Sequence, residues 1–502
     1  MGDLASLLSG FQIALTPFNL YLAVIGIVLG TIIGVLPGLG GPNGVAILLP
    51  VTFTMAPTSA IIFLSCIYWG ALFGGAITSI LFNIPGESWS VATTFDGHPM
   101  AKSGKGGEAL IIAFTSSFIG TFFGVVLITF FAPLLAGVAL RFGPPEFFSI
   151  QLLTFASFVG LGGANPLKSM AAILIGFGLA AVGMDMVTGE FRLTLGSMEL
   201  VRGFNFIIAV IGLFGIGDIL VSVEEGLEFK YVKGARVTLR EVLRTWRGLI
   251  GYWRTFLFGS FIGFWMGFKP GGATAASFMS YGLARRLSKH PERWGKGAVE
   301  GVVAPETANN AAGVAALLPM LALGIPGSAT AAVLLGGLLI WGLQPGPLLF
   351  KEHPEFVWGL IASIYSGNVI GVIIVLTCVP LFVAILRIPF AILTPLIVVV
   401  CIIGAYAPSS SLVDVWYMMG FGFLGYIFKK LNYPLAPLVL AMILGDLAES
   451  ALRQSLMMSQ GSMLIFFERP IAGTITALAI VIFLLPVLAW LRWRLAGKPV
   501  SR

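Results

Sequence analysis

Long apolar runs separated by short polar stretches dominate the chain. Runs at residues 20–36, 110–131, 171–187, 369–386 and 471–491 are each roughly 20 residues, enough for an α-helix to cross ~30 Å of hydrocarbon. Marking every such run predicts spans at 17–36, 58–83, 109–140, 147–164, 167–187 and 203–223 in the first half. The second half adds runs at 252–268, 310–323, 329–341, 356–386, 389–406, 415–428, 434–447 and 471–491. The pattern predicts an all-α polytopic membrane protein of about 12 transmembrane helices, some of them broken or re-entrant half-helices. No early positive region precedes a short apolar core, so the first run reads as a span and not as a cleaved signal.

The runs are interrupted in a repeated way. Gly34-Val35-Leu36-Pro37-Gly38-Leu39-Gly40-Gly41 and Asn83-Ile84-Pro85-Gly86-Glu87-Ser88 break the first half. Gly267-Phe268-Lys269-Pro270-Gly271-Gly272 and Gly324-Ile325-Pro326-Gly327-Ser328 break the second, in the same order. Pro37 and Pro85 are separated by 48 residues, Pro270 and Pro326 by 56. One Pro-Gly break is an ordinary kink or loop. Four in matched order favour a cavity shared by two related copies, because irregular backbone at membrane depth survives only when buried in protein or lining water. A helix restarting after such a break points free N–H groups and the positive end of its dipole into the cavity, which suits a carboxylate. Carbonyls freed on the other side of a break suit a cation such as sodium. Asn43, Ser88, Thr274, Ser328 and Thr330 follow the breaks and offer neutral hydrogen-bonding groups there.

Composition sharpens this picture. Of the 502 residues 57% are hydrophobic and only 10% charged, with a mean hydropathy of +0.98, against about 25% charged in soluble domains. The formal charge of +7 is carried by loops, where it orients a membrane protein and implies no nucleic-acid partner. Segment 224–254 holds Lys230, Lys233, Arg236, Arg240, Arg244, Arg247 and Arg254 against Glu224, Glu225, Glu228 and Glu241. It reads as a cytoplasmic linker between a first membrane repeat at 1–223 and a second at 255–470. A last helix and tail at 471–502 end in Arg492, Arg494, Lys498 and Arg502, which places the C-terminus inside. An uncharged N-terminus outside and a second copy starting inside would make the repeats inverted, an arrangement common among secondary transporters; one crossing more or fewer in the first half would make them parallel.

Candidate chemistry is sparse. Cys66, Cys378 and Cys401 sit singly in apolar runs and read as packing residues. Glu87, Lys269 and Glu306 lie beside interruptions, where intramembrane ionisable groups are functional candidates, although residues near the interface can also snorkel to water. Pro305-Glu306-Thr307-Ala308-Asn309-Asn310 leads into an apolar run, with Asn309 and Asn310 placed to cap or line a half-helix. Asp185, Asp218, Asp446 and Glu449 read as interfacial. Residues 84–108 mix Trp89, Phe95 and Met100 with Asp96, His98 and Lys102, and read as a partly buried or re-entrant excursion. The His98/Asp96 pair is weak support for catalysis or a metal.

These residues carry a resemblance. Gly34–Gly40, Tyr68-Trp69-Gly70, Ser79–Gly86, Phe95-Asp96-Gly97-His98-Pro99-Met100, Lys269-Pro270-Gly271, Pro305–Asn310 and Leu323–Ser328 make the chain resemble the large membrane subunit of the tripartite tricarboxylate transporter family. The resemblance implies a bacterial inner-membrane secondary transporter working with a small membrane subunit and a periplasmic solute-binding protein that captures a carboxylate. It also implies an ion gradient, Na+ or H+, in place of ATP, and no Gly-rich Lys-Ser/Thr phosphate loop contradicts this; no cofactor is expected. The expected site gathers Gly38, Gly40, Gly41, Asn43, Asn83, Pro85, Gly86, Glu87 and Ser88 with Gly271, Gly272, Thr274, Thr307, Asn309, Asn310, Pro326, Gly327, Ser328 and Thr330. The alternative is an ion or solute channel whose Pro-Gly loops form a filter. An intramembrane enzyme is the third reading, without a His-Glu-x-x-His, Gly-x-Ser-x-Gly or clustered carboxylate motif to support it.

Overall fold

A computed structural model describes residues 2–36, 39–139, 141–160, 165–185, 188–225, 237–269, 271–385, 390–407 and 409–495. Pro37, Gly38 and Pro270, residues 226–236 of the basic linker and residues 496–502 of the tail lie outside them. The described chain is almost entirely helical, apart from one antiparallel pair of two-residue strands, Gly183–Met184 with Phe191–Arg192. Among the described residues six helical stretches are long and apolar enough to span a membrane: Pro17–Val35, Pro57–Phe82, Ser88–Val138, Phe206–Glu224, Pro354–Thr377 and Leu435–Met458. The protein is thus a multi-pass membrane protein, and shorter apolar helices such as Ala329–Ile340 accompany these six.

The chain forms two compact units. The smaller, Gly137–Phe206, Lys269–Gly271 and Ile427–Arg502, is built on helices Pro144–Gly160, Pro166–Ala180, Leu435–Met458 and Pro470–Leu495. Its acids are structural. Buried Asp185 is bridged at 2.9 Å by both Arg192 and Arg453, and Glu449 joins the same two arginines. Arg469 reaches buried Glu146 at 2.6 Å.

The larger unit holds the interrupted helices, and the same local construction occurs in it twice. Pro17–Val35 (α1), Gly41–Leu48 (α2), Pro57–Phe82 (α3), Val91–Met100 (α4) and Gly106–Ala139 (α5) come first. Trp253–Gly267 (α6), Gly272–Leu287 (α7), Glu300–Ala315 (α8), Leu317–Leu323 (α9), Ala329–Ile340 (α10) and Pro354–Thr377 (α11) follow. Gly26, Gly30 and Gly34 let α1 lie directly on the backbone of α3. A Cβ built on Gly30 would stand 2.7 Å from Ile67 Cα, and one on Gly74 would stand 2.8 Å from Val35 N. Gly259, Gly263 and Gly267 do the same for α6 on α8, where a Cβ on Gly263 or Gly267 would stand 2.7 Å from the Cβ of Ala311 or Ala315. In lipid, where apolar surface gives helices no reason to leave the tails, close packing through small residues is what joins them.

Each of these pairs ends alike. Helix α3 stops at Asn83 with φ 60° and ψ 27°, and α9 stops at Gly324 with φ 73° and ψ 20°. The next amide then closes the helix end, Ile84 N on Thr78 O at 3.3 Å and Ile325 N on Pro319 O at 3.1 Å. Left-handed backbone is open to glycine and tolerated by asparagine, and closed to β-branched residues. Asn83→Gly is therefore expected to unfold at the wild-type temperature, and Asn83→Val to lose about 1–2 kcal/mol, read as a lowered Tm in detergent.

One sequence expectation gains detail and one changes. The excursion at 84–108 is mostly helical, with a short 3-10 turn Ser88–Ser90 leading into α4, and buries Thr93, Asp96 and Met100. The run at 310–323 starts ten residues earlier, at Glu300, so Asn309 and Asn310 lie in mid-helix and cap nothing. Pro305 sits in the second turn of α8, where the amide it lacks would have donated to the Gly301 carbonyl, so the helix gives up one hydrogen bond there.

Candidate functional site

Helix α2 begins where the first interruption ends, and its N-terminus is already met by an anion. Glu87, in the second interruption, accepts a hydrogen bond from the Gly41 amide. Gly40 is glycine for space: its backbone is extended at φ −87°, ψ −174°, which any residue adopts, but a Cβ there would fall on the Glu87 carboxylate. Glu87 is itself held by the Ser88–Ser90 turn, its amide donating to Ser90 Oγ at 3.3 Å and its carbonyl accepting from that hydroxyl at 2.8 Å.

Around this seat the two halves cross. Helix α10 packs on α2, and α7 packs on the Ser88–Ser90 turn. Ser88 Oγ and Thr274 Oγ1 are 2.8 Å apart. Thr330, on α10, is fully buried and its hydroxyl has no hydrogen-bond partner among the described residues; a Cβ on Gly41 would stand 3.2 Å from it and 3.3 Å from the Tyr68 ring. The Tyr68 hydroxyl donates to Gly313 O at 3.4 Å. Ser328 caps α10 through the Ala331 amide at 3.1 Å.

Gly86 and Gly327 hold matching places, each against the carbonyl of the last glycine of its crossing stripe, Gly34 and Gly267. They and the neighbouring Pro85 and Pro326 shape the loops and present no donor side chain. Asn83 is exposed and serves the helix end. Asn43 is buried and donates to Asp218, also buried. Gly271 has φ 70°, and Gly272 opens α7 pressed against the Met266 carbonyl. Gly38 lies outside the described residues.

A second polar constellation surrounds α8. Glu306 is 1% exposed and accepts from Thr93 Oγ1 of α4 at 2.5 Å and from Ser117 Oγ of α5 at 3.0 Å. Asn309 also bonds its side chain. Asn310 Nδ2 donates to Ser117 Oγ at 2.9 Å and to Asn309 Oδ1 at 2.6 Å. Thr307 instead bonds back to Val303 O. Thr93, Ser117, Tyr68 and Asp218 were not picked out as site residues. Apart from Tyr68, which lies in a motif of the resemblance, their sequence signal is a hydroxyl or carboxyl group in an otherwise apolar context.

His98 and Asp96 do not form a pair. Asp96 accepts from the Gly297 and Ala298 amides at 2.9 and 2.8 Å and from the Tyr281 hydroxyl at 2.9 Å, fixing the approach to α8. His98 Nδ1 lies 3.0 Å from Ile80 O. No group of three His, Cys, Asp or Glu side chains among the described residues could hold a metal.

Comparison with known proteins matches residues 20–440 to the family model described as the tripartite tricarboxylate transporter TctA family. The chain is 40% identical over 494 residues to an uncharacterized 52.8 kDa protein in the TAR-I ttuC' 3' region of Agrobacterium vitis, covering 97% of both chains. It is 39% identical over 228 residues to an uncharacterized protein in the TAR-II ttuC' 3' region of the same organism, covering 45% of this chain and 94% of the other. No solved structure matches it.

Proposed function

Because the chain belongs to the tripartite tricarboxylate transporter TctA family, a family of transporters and not of enzymes, we propose that it is the carrier that moves a carboxylate across the bacterial inner membrane. A periplasmic binding protein delivers a tricarboxylate or dicarboxylate, a small membrane subunit completes the complex, and a sodium or proton gradient drives import. The observation that carries this reading is the Glu87 carboxylate on the N-terminus of α2. A helix start that seats a carboxylate of its own can seat one from a substrate, with the field of the α2 dipole and the Gly41 amide as donors.

In the mechanism, the incoming carboxylate displaces Glu87 from Gly41. The Thr330 hydroxyl, buried beside the same glycine and without a partner among the described residues, gains one, and the Ser88/Thr274 hydroxyl pair meets a further oxygen of a polycarboxylate. The matched glycine stripes and helix ends of α1–α4 and α6–α10 support two related repeats, inverted within about 12 crossings, which rock against one another to open the site alternately to each side.

The test is reconstitution in proteoliposomes with the small membrane subunit, the cognate binding protein and a labelled carboxylate that this protein holds. Saturable accumulation under an imposed sodium or proton gradient is expected. Flux that never saturates would make the protein a channel, and no accumulation under either gradient would remove the carrier reading.

A further inference from the structure

We propose that Glu306 is the seat of the coupling cation, a monovalent hard ion, H+ or Na+, taken up on its carboxylate between α4, α5 and α8. The proposal rests on the transport reading above and assigns the ion to a place apart from the helix breaks.

The Glu306 carboxylate is buried, and its partners are the hydroxyls of Thr93 and Ser117 and the amide of Asn309. All are neutral. A lone carboxylate removed from water is costly unless a positive charge compensates it, and intramembrane acids that face a protein interior mark ion or proton pathways. No Lys, Arg or His pairs with it among the described residues. On α4, which packs against α8, Asp96 is occupied by backbone amides and Tyr281, and His98 lies against Ile80 O. On α7, Arg285 and Arg286 are exposed, and Tyr281 serves Asp96. On α6, Arg254 is exposed and lies over Trp253. On α5, Glu108 is a further acid, and the Ser88–Ser90 turn and α9 carry no charge. With no cation of the described residues on it, the carboxylate is assigned a compensating charge taken up from solution.

The donor atoms fit a hard cation. The Glu306 carboxylate, Thr93 Oγ1 and Ser117 Oγ are all oxygen, the ligand type such ions prefer, and the carboxylate alone suffices for a proton. One carboxylate matches one positive charge. The matching helix of the first copy has no counterpart. The hydrogen bonds that close α3 and α9 align Thr78 with Pro319 and Ile84 with Ile325, and the same alignment puts Ser65 opposite Glu306, Tyr68 opposite Asn309 and Trp69 opposite Asn310. The cation site is thus built on one copy alone.

Glu306→Gln keeps the size and most hydrogen bonds of the side chain while fixing it in the neutralised form. In the reconstituted complex, E306Q is expected to retain exchange of labelled for unlabelled carboxylate within about threefold of wild type, because the loaded, neutral carrier still reorients. It is expected to lose gradient-driven accumulation by at least about tenfold. Driving the wild type with sodium at equal pH, and with a pH difference at equal sodium, identifies the ion. Glu306→Asp, which keeps the charge and shortens its reach, is expected to shift the half-saturating concentration of that ion. Accumulation by E306Q equal to wild type, an unshifted half-saturation in E306D, or equal loss of exchange and accumulation in a correctly assembled E306Q would overturn the proposal. A wild type that accumulates under neither gradient is a different result: it removes the carrier reading itself, and this assignment with it.

Discussion

Gly263→Leu is expected to leave almost no assembled protein in the membrane. A Cβ at this position would stand 2.7 Å from Ala311 Cβ and closer still to the Ala308 carbonyl, whereas carbon atoms pack at about 3.5–4.0 Å. The obstacle includes backbone, so no rotamer change in a neighbour relieves it, and α6 must lift off α8. Overpacking of a well-filled core costs about 1–3 kcal/mol, and here the cost is larger because a whole crossing separates and carries with it the helix that bears Glu306. Loss of the monodisperse peak in size-exclusion chromatography, or a fall of more than about 10 °C in Tm by the scaling of stability to midpoint, reports it. Gly420→Leu is the control, since a Cβ on Gly420 meets nothing within 4 Å. Equal behaviour of the two variants would sever the link between the glycine stripe and assembly.

Gly40→Ala acts on function with the fold intact. The backbone accepts alanine, but the methyl group takes the space of the Glu87 carboxylate, and any substrate carboxylate on the Gly41 amide meets the same methyl. A hydrogen bond to a charged group contributes about 1.5–3 kcal/mol, so uptake at subsaturating substrate should fall about 10- to 100-fold while Tm changes little. Glu87→Ala in the same background removes the internal clash and leaves the substrate's, so the double variant stays inactive. Uptake at the wild-type rate in Gly40→Ala would show that the substrate does not use the N-terminus of α2.

The reading of the chain as helical membrane protein followed from the apolar runs, and the breaks at Pro85 and Pro326 were legible because proline followed by glycine leaves little else for the backbone to do. The helix starting at Glu300 was hidden by Pro305 and by the polar Glu306-Thr307-Ala308-Asn309-Asn310 string, which reads as a cap when only local sequence is weighed. Its polar residues are stabilised by Thr93 and Ser117, about 200 positions away, and no local pattern encodes that pairing. The turn role of Asn83 was obscured for a related reason: asparagine beside a break suits both a ligand and a left-handed turn, and it is the φ of 60° that shows the turn. From the sequence Glu87 is an ionisable group beside a break. That it sits on the other break's helix is a property of the crossing.

If substrate binds at Gly41 as proposed, the Glu87 carboxylate already there would set a threshold for what can pass. A tethered carboxylate competes with ligands at an effective concentration that short tethers raise to about the millimolar range or above. Chloride or acetate, offering one point of attachment, meets a competitor already in place. If the substrate sits as proposed, an acid with several carboxylates would recover the exchange through its remaining groups at Thr330, Ser88 and Thr274. On the proposed reading, Glu87 at Gly41 would thereby act as a filter for polyvalent acids before any pocket shape is consulted.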